Sequence, residues 1–170
     1  MRRLRFLKIV FALVILSAVL LGAVRIYKAA KDEPRSPAVA APDNAVRPPN
    51  TVFIGAKGKW RVELAATLDE RARGLSNRAA LPAENGMIFL FNEPGRYGFW
   101  MKEMRFPLDI IWISNDQVIG LSENLLPEGA QPKNIYYPPA PADTILEINA
   151  GEAETFGIIT GDVIKLGYEE

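Results

Sequence analysis

The polar residues best suited to chemistry lie in a segment rich in aromatic residues, between positions 99 and 112. A strand starting at Leu108 would place Asp109 on the same face as two isoleucines, where a carboxylate needs a partner. The candidate cationic partners are Arg71, Arg73, Arg78, Lys102 and Arg105. One interpretation is a polar pocket of Asp109 with Arg78 and Lys102, rimmed by Trp100 and Trp112. The alternative is a structural ion pair, or a carboxylate that accepts hydrogen bonds from backbone N–H groups.

The aromatic and arginine side chains allow two interpretations each. Trp100 and Trp112 are able to stack on a sugar ring, or to fill the core of a small β domain. Arg71 and Arg78 would share a helical face only if a short helix continued past Gly74, and they would then capture an anion or lie on a solvated surface. The predicted ligand-binding set is Arg71, Arg78, Trp100, Lys102, Asp109 and Trp112.

The absence of two residue types excludes several kinds of enzyme. The sequence has no cysteine and no histidine, so it has no disulfide, no thiolate nucleophile and no Ser-His-Asp or Cys-His arrangement. No nucleophile elbow, phosphate-binding loop or dinucleotide-binding glycine pattern is found, and we expect no cofactor and no metal. Glycoside hydrolysis by paired carboxylates such as Glu103 and Asp109 stays possible, because it needs neither residue type.

Charge and hydropathy divide the chain into a basic and an acidic part. Residues 1–50 hold nine basic and three acidic side chains (9 − 3 = +6), and residues 51–170 hold eleven and seventeen (11 − 17 = −6). The acidic part argues against nucleic acid as a partner. Residues 6–24 are apolar except for Lys8 and follow three arginines, which predicts a segment that crosses the bilayer with Met1 in the cytoplasm. A cleaved signal peptide is the alternative, and both interpretations place the rest of the chain outside the cytoplasm.

Three regions follow from these patterns. Residues 1–28 are the predicted N-terminal signal anchor or transmembrane segment, and residues 29–50 are a linker rich in proline and alanine. Residues 51–170 form the predicted extracytoplasmic domain, whose size is sufficient for one hydrophobic core.

Short apolar runs between turn residues predict a mostly β (α+β) domain. We expect about seven strands and two short helices in a small β-barrel or sandwich-like fold, preceded by the transmembrane helix. Thr67 and Glu70 form a capping box for a helix that ends at Gly74, and Asn149 is predicted to cap the second helix. Strands are predicted at the runs 60–65, 87–91, 97–101, 108–113, 118–121, 144–148 and 163–166, and an irregular loop at 127–141.

Several motifs together resemble a known bacterial and archaeal family. They are the segment from Glu70 to Arg78, the run Gly86-Met87-Ile88-Phe89, and the stretch Phe99-Trp100-Met101-Lys102 that continues to Pro107-Leu108-Asp109. The chain is similar to the family catalogued as domain of unknown function 192, although Ser76 and Glu103-Met104 depart from the family pattern. The resemblance implies a compact β-rich domain, often secreted or membrane-tethered, and no established activity.

The sequence therefore favours a membrane-tethered, extracytoplasmic binding or accessory domain without catalysis. Its expected partners are the lipid bilayer, through residues 6–24, and an envelope protein or glycan. We expect it at a bacterial inner membrane, single-pass, with the C-terminal domain in the periplasm or outside the cell. The alternatives are a carboxylate-dependent hydrolase of envelope glycans and a structural scaffold.

Overall fold

The structure is a computed structural model that describes residues 48–168. The predicted transmembrane segment and most of the predicted linker lie outside these residues. Within residues 48–168, no helix has the length and apolar character needed to cross a bilayer.

Seven strands and two short helices make up the described domain. The strands are β1 (Thr51–Ile54), β2 (Gly58–Ala65), β3 (Asn85–Gly95), β4 (Leu108–Ser114), β5 (Gln117–Leu125), β6 (Ala142–Asn149) and β7 (Ile164–Gly167). The helices are α1 (Leu68–Arg73), between β2 and β3, and α2 (Glu152–Thr155), between β6 and β7. A β-rich domain with two short helices is confirmed, but β1 is not among the predicted runs.

All seven strands belong to one sheet with the order β5-β4-β6-β3-β2-β1-β7. Every pair is antiparallel except β2 with β3, which is parallel, so the chain must cross over between them and α1 lies on this crossover. Backbone hydrogen bonds join the N-terminal ends of β5 and β7. They include those from Val118 N to Asp162 O and from Ile164 N to Asp116 O, both 2.8 Å. The sheet is therefore a half-barrel, and the two-sheet sandwich is not what residues 48–168 form.

Both faces of the central strands are buried. Each strand contributes to the core inside the half-barrel, as do residues around α2; the strand residues include Val52, Trp60, Ile88, Ile111, Val118, Leu146 and Ile164. A second core covers the outer face and combines sheet residues such as Phe89, Ile110 and Trp112 with connecting segments that supply Leu75 and Met101. Alternation along β4 places Leu108, Ile110 and Trp112 in the outer core and Ile111 and Ile113 inside, as predicted.

Local signals explain most of the element boundaries. Thr67 accepts a hydrogen bond from Glu70 N, and the Glu70 side chain accepts one from Thr67 N, so the predicted capping box begins α1. The β4–β5 hairpin turns at Asn115 and Asp116, whose φ angles of 51° and 59° suit the right-handed twist of the strands. The irregular loop predicted after β5 is also present.

Two sequence-based expectations about local structure are wrong. The run 97–101 is not a strand, because it makes only an isolated bridge from Phe99 to Tyr136 instead of a ladder with the sheet. Asn149 does not cap α2, because its side-chain amide donates to the carbonyl oxygens of Leu81 (3.2 Å) and Pro82 (3.1 Å). Gly151 occupies the N-cap position instead, in the left-handed conformation with φ 81°.

The Asp109 carboxylate on β4 accepts hydrogen bonds from backbone N–H groups of two neighbouring elements. Asp109 is fully buried; its Oδ1 accepts from Asn124 N on β5 at 2.8 Å and its Oδ2 from Ala153 N in α2 at 3.0 Å. It therefore connects β4, β5 and the first turn of α2.

Asp109→Ala leaves the buried N–H of Ala153 and the partly buried N–H of Asn124 without their acceptor, and an unpaired N–H group is costly when buried. We expect the free energy of unfolding to fall by roughly 2 to 4 kcal/mol, measured by urea denaturation. Glu123→Ala, at an exposed position of β5, is the control and should change it by less than about 0.5 kcal/mol. Equal stability of the two variants would contradict this role for Asp109.

Candidate functional site

A cavity of about 620 Å³ opens on the outer face of the sheet. Its walls are α1 and the turn that follows it, the C-terminal half of β3, and the segment from Tyr97 to Trp100. The volume lies within the range of small-molecule sites, about 300 to 1,000 Å³. The lining combines aromatic, arginine and acidic side chains, among them Arg71, Arg73, Phe91, Glu93, Tyr97, Phe99, Trp100 and Glu147.

Aromatic residues form one wall of the cavity, and ring contacts hold Phe91, Tyr97 and Phe99 in place. Phe91 and Tyr97 stack with centroids 3.6 Å apart, and Phe99 packs edge-on against Phe89 at 4.9 Å. The Tyr97 hydroxyl donates to Glu93 O at 2.7 Å, which fixes the ring at the cavity. Trp100 is 41% exposed and extends the wall toward solvent. The wall presents flat apolar surfaces to the space.

Glu147 from β6 lies at the cavity with an unpaired oxygen. The residue is 5% exposed, and its Oε2 is buried with no hydrogen-bond partner in the part of the chain that the structure describes. Its register neighbours, Met87 on β3 and Ile110 on β4, are apolar. Burial raises the pKa of the Glu147 carboxyl to about 8, and the positive charge of Arg78 opposes this only in part. At neutral pH the carboxyl therefore holds its proton.

Arg78 is fixed by another carboxylate. Its Nη2 donates to Glu63 Oε2 at 2.8 Å, and Nη1 bonds the other oxygen, so the pair is bidentate. This hydrogen bond lowers the pKa of Glu63 and raises that of Arg78. Arg78 therefore acts on Glu147 through its charge and makes no hydrogen bond to Glu147 Oε2.

The structure brings two of the six predicted binding residues to the cavity, Arg71 and Trp100. Arg71 donates from Nη2 to Leu90 O at 2.8 Å and lies 4.6 Å from the centre of the Phe91 ring. Its guanidinium therefore holds the cavity wall in place while its charge faces the same space.

The other four predicted residues lie elsewhere. Asp109 bonds the backbone amides described above and contacts neither Arg78 nor Lys102, so these three form no common pocket. Trp112 is 1% exposed and donates from Nε1 to Ser122 Oγ at 3.0 Å, which makes it a core residue. The Lys102 backbone oxygen accepts from Ser76 Oγ at 2.7 Å, and its side chain does not line the cavity.

The carboxylate pair considered for hydrolysis is also separated from the cavity. Glu103 is exposed and accepts from Asn77 Nδ2 at 3.1 Å, whereas Asp109 is buried, and neither lines the cavity. The residue that sequence reasoning missed is Glu147. A signal for it was present, because it is the one charged residue in the run from Thr144 to Ile148 and charged residues are rarely buried without a partner.

Glu147→Gln should make the domain more stable at higher pH. The folded-state pKa of about 8 lies above the ordinary glutamate pKa of 4.5 in an unfolded chain, so the folded protein binds the extra proton between these values. Its stability then falls as the pH rises from about 4.5, by up to about 1.4 kcal/mol per pH unit, and levels off above about 8. Urea denaturation at several pH values should show that the free energy of unfolding of the variant, relative to that of the wild type, increases as the pH rises across this range. A constant difference from pH 5 to 8 would show that the carboxyl titrates normally.

Comparison with known proteins agrees with the fold and leaves the activity open. A protein of unknown function from Novosphingobium aromaticivorans is 38% identical, with a TM-score of 0.62; the match covers 68% of this chain and 83% of that one. A putative transcription regulator from Sinorhizobium meliloti is 30% identical, with a TM-score of 0.63; the match covers 68% and 92%. No curated protein matches the sequence. The profile of the DUF192 family, described as "Uncharacterized ACR", matches residues 51–166, and the chain therefore belongs to this uncharacterised family.

Proposed function

We propose that this chain is a membrane-tethered binding domain and that the cavity beneath α1 is its ligand site. The observation that carries the proposal is Glu147, a buried residue that lines the cavity and whose carboxyl oxygen Oε2 has no hydrogen-bond partner among residues 48–168. A buried polar atom left unpaired in a native protein needs an explanation, and a ligand able to hydrogen-bond with it provides one. Mostly apolar walls with a few convergent polar groups are typical of small-molecule sites.

The rest of the cavity supports binding of a compound with a flat or apolar body. Tyr97, Phe99 and Trp100 offer ring faces, and Leu68, 81% exposed, adds apolar surface. Trp100 is thus available to stack on a sugar or another ring, the role considered for it from sequence.

The tether is supported by sequence alone. Residues 6–24 are long enough and apolar enough to hold the chain in a bilayer, and the arginines before them favour a cytoplasmic start. The domain would then face the periplasm or the exterior of a bacterial cell. The name of the Sinorhizobium protein suggests a role with nucleic acid, but a net charge of −6 over residues 51–170 does not favour that partner here.

Hydrolysis of envelope glycans is the second candidate. The favouring observation is that two acidic residues, Glu93 and Glu147, line one open cavity, and that Glu147 holds a proton near neutral pH as a general acid must. An assay with nitrophenyl glycosides distinguishes the two candidate functions, because a protein that only binds the glycoside releases no nitrophenol. Release by the wild type that Glu147→Gln abolishes would favour the hydrolase.

Filling the mouth of the cavity should prevent binding. Ala72 is exposed on α1 and lines the cavity, so Ala72→Phe places a ring there with little effect on folding. We expect the wild-type domain to bind anilinonaphthalene sulfonate, measured by fluorescence titration, and Ala72→Phe to weaken this binding about tenfold or more. Ala79→Phe, exposed and away from the cavity, is the matched control and should bind normally. Absence of binding to the folded wild type, or equal binding by both variants, would rule out the cavity as the site.

Membrane topology is testable because the chain has no cysteine of its own. With the full chain in a bacterial host, Ala41→Cys should react with a membrane-impermeant maleimide in intact cells, and Leu4→Cys only after the inner membrane is permeabilised. Alkaline carbonate should leave the protein in the membrane fraction. A shortened, soluble product would indicate a cleaved signal peptide, and equal labelling of both cysteines would contradict the orientation.

A further inference from the structure

Glu147 has no counter-ion that bonds to it. Among residues 48–168, none donates a hydrogen bond to its Oε2. Arg78, whose charge acts on the carboxyl, gives its guanidinium to both oxygens of Glu63. An unpaired carboxylate in an apolar site is far more costly than the neutral acid, so the site favours the protonated carboxyl. A protonated carboxyl is a hydrogen-bond donor and requires an acceptor.

The charged groups around Glu147 decide which ligands are compatible. The groups that face it or share its cavity are Arg71 and Arg73 on α1, Arg78 after α1 with its partner Glu63 on β2, Glu93 on β3, and the phenol of Tyr97. The strand neighbours Met87 and Ile110 are uncharged. With Glu147 neutral, two guanidinium groups and one carboxylate face the cavity. This balance disfavours a cation and tolerates a neutral or anionic molecule.

The aromatic side chains that line the cavity restrict the shape and charge of the ligand. The stacked rings of Phe91 and Tyr97 and the half-exposed indole of Trp100 present apolar surface to the cavity. The face of Phe91 is already occupied by the guanidinium of Arg71, 4.6 Å from the ring centre. Arg71 therefore already makes the cation–π contact that a cationic ligand would make with Phe91. The other aromatic surface of the cavity suits a ligand ring without positive charge.

We propose that Glu147 binds the ligand as the neutral carboxylic acid, donating a hydrogen bond to an oxygen acceptor of an uncharged or anionic ring compound. The proposal rests on the proposed function, since it concerns the same cavity. It names the class of the ligand: a flat apolar body that carries a carbonyl or carboxylate oxygen and no ammonium group.

Ligand binding through the neutral acid should depend on pH. The acid donates only while protonated, and burial sets its pKa at about 8. Affinity should be constant from pH 6 to 7 and fall above about 8, approaching about tenfold per pH unit. A ligand held by an ion pair would behave in the opposite way, because its binding would improve as the carboxyl ionises.

Three naphthalene compounds with one body and different head groups test the class: acetylnaphthalene, naphthoate and naphthylmethylamine. Displacement of anilinonaphthalene sulfonate measures their binding, and the ¹³C-methyl signal of Met104, which lines the cavity, locates it. We expect the ketone and the carboxylate to bind the wild type at pH 6.5 about tenfold more tightly than the amine. Tighter binding of the amine would overturn the proposal.

Two variants test the donor itself. Glu147→Gln keeps an N–H donor, so it should bind the ketone about threefold more weakly than the wild type, with an affinity that no longer depends on pH from 6 to 9. Glu147→Leu keeps the size and removes the donor, and it should lose about tenfold or more. Neither variant buries a new charge, so both are expected to fold.

The failures are distinguishable. If the wild type binds anilinonaphthalene sulfonate but no oxygen-bearing compound displaces it, the ligand class is wrong and the cavity remains a site. The same conclusion follows if Glu147→Leu binds the ketone as the wild type does, or if wild-type affinity is flat from pH 6 to 9. If the fluorescent compound itself does not bind, the proposed function fails and this inference fails with it.

Discussion

The cost of burying a carboxyl group in an apolar sheet is the constraint on which this domain depends. Asp109 and Glu147 lie on neighbouring central strands, β4 and β6, and face opposite sides of the sheet. Inside the half-barrel, both oxygens of Asp109 accept backbone hydrogen bonds, so the group joins three elements. On the outer face, Glu147 receives no such bond at Oε2. The first carboxyl is explained by the fold, whereas the second is not.

The local geometry shows why the fold leaves Glu147 unsatisfied. The turn at Gly74 brings backbone close to the carboxyl, since a Cβ at this glycine would lie 3.8 Å from Oε2. Its φ of 49° with ψ of −132° is a conformation that favours glycine. The N–H of Gly74 nevertheless donates to Glu70 O at 2.8 Å, which ends α1, and is not available to Glu147. The nearby cation, Arg78, bonds Glu63. The Gly74 N–H ends the helix and the Arg78 guanidinium forms a separate ion pair, so neither donor bonds to the Oε2 of Glu147.

Local signals made most of the fold predictable from the sequence. The predicted runs 60–65 and 108–113 lie within β2 and β4, and the Thr67–Glu70 capping box begins α1 as predicted. The cavity was harder to predict from the sequence, because it depends on which distant segments of the chain cover the outer face of the sheet. Alternation placed Asp109 beside Ile111 and Ile113 correctly, yet only the three-dimensional structure shows that its partners are the amides of Asn124 and Ala153. Both Trp100 and Trp112 lie in short apolar runs that resemble strands in the sequence. Trp112 is buried on β4, whereas Trp100 is exposed because the segment 97–101 does not join the sheet.

An unpaired buried carboxyl lowers the stability of the domain at neutral pH relative to an amide or apolar residue of similar size. Elsewhere the domain is consistent across levels: strands alternate, α1 is capped, and Asp162 is held by Lys57 and by Ile159 N. Natural proteins depart from such consistency chiefly where a site requires it. Glu147 departs from this consistency, and it lies at an open cavity that is also lined by aromatic residues, Arg71 and Arg73. If the cavity is the ligand site that we propose, a bound ligand gives the carboxyl the hydrogen-bond partner that the fold does not supply.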